Sequence, residues 1–89
     1  MADEKRIRAR IAEIAGRPKN VSFEEIEWVA KQLSQFYPVE QRRATHGILF
    51  RVGRTRFMVS SHNPGSKNVK PTYVDDFCDA MFELGWYDG

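Results

Sequence analysis

His46 and His62 are the only histidines in this chain of 89 residues, and each stands where an apolar run meets a turn. His46 lies in Ala44-Thr45-His46-Gly47, ahead of Ile48-Leu49-Phe50, and His62 lies in Ser61-His62-Asn63-Pro64-Gly65, after Phe57-Met58-Val59-Ser60. Imidazole is the side chain that gives and takes protons near neutral pH. Arg43 precedes His46 by three residues, and Lys67 and Lys70 follow His62. Two proton carriers ringed by three fixed cations suit the cleavage of RNA without a metal. One imidazole removes the proton of a 2′-hydroxyl, which attacks the adjacent phosphorus; the other protonates the leaving oxygen, and the cations stabilise the charge on phosphorus oxygens. Each positioned acid or base typically contributes a factor of about 100–10,000. No carboxylate cluster accompanies these positions, so two-metal nuclease chemistry is disfavoured. One cysteine and two distant histidines do not make a structural zinc site either. Neither metal nor cofactor is expected. A histidine at a strand end is more often an ordinary turn residue, so spacing alone leaves other functions open.

The elements that must position these side chains are legible from periodicity. Ile7, Ile11 and Ile14 fall at helical spacing within 3–15, and Gly16 is a natural stop. Ser22, with Glu25 three residues on, reads as a capping box, and Val21 can staple against Ile26. Phe23, Ile26, Ala30, Leu33 and Tyr37 then make one apolar face, and Pro38 ends the segment. From Val39 the period changes to two. Val39 to Arg43 reads as an edge strand, Gly47 to Val52 as a central strand, and Arg56 to Ser60 as its return through a Gly53-Arg54-Thr55 turn. Ile48, Phe50, Val52, Phe57 and Val59 should share the face covered by helices. Thr72 is expected to cap a last helix with Asp75 and Asp76 in its first turn. Val74, Phe77, Cys78, Met81 and Phe82, with Leu84, form its buried stripe, and Gly85 ends it. The predicted class is α+β, in the order α-α-β-β-β-α, with helices on one face of a three-stranded antiparallel meander. In such a meander the first strand's end, the second's start and the third's end lie together. Strands are about 4.8 Å apart, which brings the imidazoles within roughly 5–10 Å of each other.

Composition bounds the partners. At 42% apolar residues a single small domain can hold its core without disulfides. Cys78, the one cysteine, sits on an apolar helix stripe and reads as a packed thiol. The start, Met1 to Arg6, has no apolar core for a signal peptide, and no run is long enough to span a bilayer, so a cytoplasmic protein is expected. The net charge of +2 conceals strong segregation, with +6 over residues 39–70 and −5 over residues 71–89. A concentrated positive surface favours a polyanion, with salt-sensitive attraction. A non-catalytic nucleic-acid-binding module and a protein-interaction domain remain alternatives to the ribonuclease.

The stretch from Ser22 to Leu84, about two-thirds of the chain, resembles HicA, the mRNA interferase toxin family of bacterial HicA–HicB toxin–antitoxin systems. Arg43-Ala44-Thr45-His46 followed by Gly47-Ile48-Leu49-Phe50 is similar to that family's basic residue and Gly-Ser-His at the opening of the second strand. Met58-Val59-Ser60-Ser61-His62, then Gly65-Ser66-Lys67 and Lys70-Pro71, is similar in layout to its Pro-x-His element and following loop. The resemblance implies a double-stranded-RNA-binding-domain-like α-β-β-β-α core over 21–89, preceded by a helical extension over 1–20. It also implies metal-independent cleavage of mRNA by His46, and neutralisation by a HicB-like antitoxin that covers the site.

Overall fold

The computed structural model describes residues 2–45, 47–60 and 68–88. Its elements are α1 (Glu4–Gly16), α2 (Phe23–Leu33), β1 (Val39–Ala44), β2 (Gly47–Val52), β3 (Thr55–Val59) and α3 (Pro71–Leu84). The strands form one antiparallel sheet in the order β1-β2-β3, so the chain has the α+β meander its periodicity implies. No helix among the described residues is long and apolar enough to cross a membrane.

Local chemistry sets the boundaries. Asp3 caps α1 by accepting a hydrogen bond from the Arg6 N–H at 2.9 Å. Ser22 caps α2 through the Glu25 N–H at 3.3 Å. The Glu25 carboxylate is held by Arg17 at 2.6 Å and also accepts the Ser22 hydroxyl at 3.4 Å, which joins the α1–α2 connector to the cap. The Arg17 hydrogen bond holds the Glu25 carboxyl below its ordinary range. Between β2 and β3, Val52 pairs with Thr55 across the two residues Gly53 and Arg54. Gly53 adopts φ +61°, the left-handed conformation that such a tight turn requires. Its N–H donates to the Pro38 carbonyl at 2.9 Å and fastens the turn to the start of β1.

The register sorts side chains onto two faces. Directly paired residues share a face, so Val39–Val52–Thr55, Gln41–Phe50–Phe57 and Arg43–Ile48–Val59 are rungs on the helix side. Phe50, Val52, Phe57 and Val59 are buried there with Ile26, Val29, Leu33, Val74, Phe77 and Met81. Phe50 stacks on Phe57 with centroids 5.2 Å apart, and Phe57 meets the edge of Phe77 at 5.4 Å. Glu40–Arg51–Arg56 and Arg42–Leu49–Met58 are rungs of the opposite face, which no helix among the described residues covers.

Three expectations need correction. The last helix begins at Pro71 with Lys70 as N-cap, so Thr72 lies inside it and makes no cap. Proline at the first helical position is favoured because its missing N–H is an orphan there anyway. Asp75 and Asp76 consequently fall beyond the first turn, which contains no acidic residue. Phe82 is exposed, not part of the buried stripe. The inward positions are Val74, Phe77 and Met81, and the residue after Met81 is rotated about 100° around the helix axis.

The first helix is an integral part of the packing. Ile7, Ile11 and Ile14 are fully buried in the common core, where α1 packs chiefly against α2 and α3. Arg8 donates to the Gly85 carbonyl at 2.9 Å and lies over the Trp86 ring at 4.8 Å. The Trp86 indole N–H in turn donates to the Tyr37 hydroxyl at 2.9 Å. The Ala2 N–H donates to the Gln32 side chain at 2.9 Å, which fixes the start of the chain to α2.

Candidate nucleic-acid interface

One end of the sheet brings the start of β2 against the end of β3. At Gly47, the first residue of β2, an added Cβ would lie 2.5 Å from the Val59 carbonyl oxygen and 2.8 Å from the Ser60 Cα. The start of β2 is therefore pressed against the end of β3. Gly47 is the chain neighbour of His46, and Ser60 precedes His62 by two residues. His46, His62 and Lys67 themselves lie outside the described residues.

Both core helices begin at this end. Gln41 of β1 donates to Glu27 of α2 at 3.1 Å, so α2 runs back along β1 with its N-terminus toward Ala44. Thr55 at the start of β3 donates to Glu83 near the end of α3 at 3.3 Å, while Phe57 meets Phe77. The N-terminus of α3 is thus carried toward Val59. The two helix starts are tied together by the Val69 N–H donating to the Val21 carbonyl at 2.7 Å and by the bridge between Ser22 and Asn68. Aligned peptide dipoles give each N-terminus about half a positive charge. With no carboxylate in the first turn of α3, nothing there offsets it.

Arg43 and Lys70 belong to this end and are exposed. Arg43 sits on β1 in the rung with Ile48 and Val59, hence on the helix side of the sheet. Lys70 is the N-cap residue of α3, and its side chain makes no capping bond. Arg42, which the sequence reading passed over, lies on the opposite face from Arg43. Strict alternation along Val39–Ala44 was the available signal for it.

The outer side of α3 is unlike this end. A groove between β3 and α3 is lined by Asp76, Asp79 and Glu83 with Phe82, and among the described residues Arg56 is its one cation. A polyanion is repelled from that side. Cys78 lies half-buried on the same helix, and burial, with Asp75 and Asp79 nearby, pushes its thiol up to about 11. The thiolate needed for nucleophilic attack is therefore scarce at neutral pH.

No protein-family model, curated protein or solved structure matches the chain.

Proposed function

We propose that this chain is a HicA-like, metal-independent endoribonuclease acting on mRNA in the cytoplasm, with its reaction centre at the junction of β1 and β2. His46 and His62 are the general acid and base. One takes the 2′-hydroxyl proton, O2′ attacks phosphorus, and the other protonates the departing 5′ oxygen, leaving a 2′,3′-cyclic phosphate and a 5′-hydroxyl. Arg43, Lys67 and Lys70 hold the phosphate and stabilise charge on its non-bridging oxygens. The observation that supports the reading most is the contact of Gly47 with Val59 and Ser60, which joins the two strand ends bordering the histidines. The N-terminus of α3, with no carboxylate in its first turn, favours an anion there, whereas Glu24 and Glu25 offset the dipole of α2. The resemblance supplies the protein partner, a HicB-like antitoxin that covers this end.

The test is incubation of the purified protein with RNA in excess chelator. The parent is expected to yield fragments with cyclic phosphate ends. His46→Ala is expected to keep the far-ultraviolet spectrum of the parent and lose at least about 100-fold in cleavage rate. Cleavage by His46→Ala at the parent rate would remove the central residue from the mechanism. Salt-dependent RNA binding by the parent without fragments would make the chain a binding module of the same fold.

A further inference from the structure

The face of the sheet opposite the helices carries Arg42, Arg51 and Arg56, and nothing in the proposed reaction uses them. Arg51 and Arg56 are direct cross-strand partners, and Arg42 is the diagonal neighbour of Arg51 through its own partner Leu49. Direct partners lie about 5 Å apart at Cβ and diagonal ones about 7–8 Å. All three are exposed. Among the described residues none of them is in an ion pair, and only Arg51 makes a hydrogen bond, a 3.4 Å contact to the Gly53 carbonyl. Glu40, the partner of Arg51, is the single carboxylate of these rungs. A shallow groove of about 120 Å³ runs between Glu40, Arg42, Leu49, Arg51 and Arg56. Like charges placed directly opposite each other destabilise a sheet. An anion laid between Arg51 and Arg56 reverses that cost.

We infer that this open face is a track for the RNA strand, along which Arg42, Arg51 and Arg56 hold successive phosphates as the chain leaves the reaction centre. The inference rests on the proposed action on RNA. The rung of Arg42 is the one next to Ala44–Gly47, and the rung of Arg51 follows toward the Gly53 turn. The track is thus continuous with the reactive end and extends about 13 Å from it, four residues along a strand. Guanidinium forks match phosphate oxygens. Among the described residues the face lacks the aromatic side chains typical of the centre of a protein–protein interface and offers half-buried Leu49 and Met58 between the arginines. Arg56 lines both this face and the acidic groove on α3, so it marks the edge of the track, beyond which Asp76, Asp79 and Glu83 repel a polyanion.

The experiment measures binding of a fluorescent single-stranded RNA to the His46→Ala protein over a range of salt concentrations. The comparison is the same protein carrying Arg42→Gln, Arg51→Gln and Arg56→Gln together. Each phosphate contact contributes about 0.7 to the slope of log affinity against log salt, so loss of three is expected to flatten the slope by about 2. The substituted side chains are exposed and their removal relieves repulsion, so the thermal midpoint should not fall. An unchanged slope with lower self-association, or with lower affinity for an acidic protein, would overturn the inference and assign the face to a protein partner. Cleavage by the parent is scored separately. RNA binding that depends on the three arginines in a parent that does not cleave leaves the track standing and removes the nuclease, whereas cleavage that depends on His46 with an unchanged slope does the reverse.

Discussion

Gly47 is where backbone packing and chemistry meet. A side chain at this position would collide with two backbone groups, Val59 O and Ser60 Cα, and neither can swing aside as a flexible side chain would. Gly47→Ala must therefore separate the start of β2 from the end of β3. Overpacking of this kind costs about 1–3 kcal/mol, and in a domain of this size each kcal/mol lowers the thermal midpoint by roughly 4–8 °C. If the reaction centre lies at this junction, cleavage should fall as well at temperatures where the variant is still folded. Retention of full activity by a destabilised but folded Gly47→Ala would move the centre elsewhere. Cys78 illustrates the opposite case, a reactive residue type made inert by its surroundings. Its position on an apolar stripe was readable from the sequence, but the neighbouring Asp75 and Asp79 that reinforce the effect of burial emerge only with the helix.

At the scale of elements, what was legible depended on how much of a signal was local. The change of period from 3.6 to 2 at Val39, the Ser22 cap and the Gly53 turn are local, and they delivered the order of helices and strands. The position of Phe82 was not legible, because α3 carries apolar residues around more than one face and only packing chooses among them. The meeting of the start of β2 with the end of β3 was legible as topology, since a meander brings those strand ends together whatever its side chains. The convergence of two helix starts there was not, because it depends on how α2 and α3 lie on the sheet. The standing of α1 was hidden for a similar reason. Its three isoleucines form a narrow stripe, and Trp86, over which its Arg8 lies, is far away in sequence. Its burial makes a definite prediction. Ile11→Ala should lower folding stability by about 2–5 kcal/mol, as for a core aliphatic residue, measured by urea unfolding. A loss below that range would mean that α1 is an appendage after all.

The whole molecule measures 33 × 26 × 22 Å, and this size sets how far its opposed charges act. The basic sheet face and end lie on one side, with Asp76, Asp79 and Glu83 along the α3 groove on another. The screening length is about 30 Å at 0.01 M salt and about 8 Å at 0.15 M. At the lower value an approaching RNA feels both regions of the protein at once; at the higher value it feels only the surface it is about to touch. Asp76→Asn with Asp79→Asn should therefore speed RNA association at about 0.01 M salt and leave it unchanged at about 0.15 M. Stopped-flow fluorescence on the His46→Ala background reads the association rate without interference from cleavage. An equal acceleration at both salt concentrations would mean that RNA touches the α3 groove directly. The acidic helix would then be part of the binding surface, and it would no longer be the boundary that keeps the strand on the arginine face.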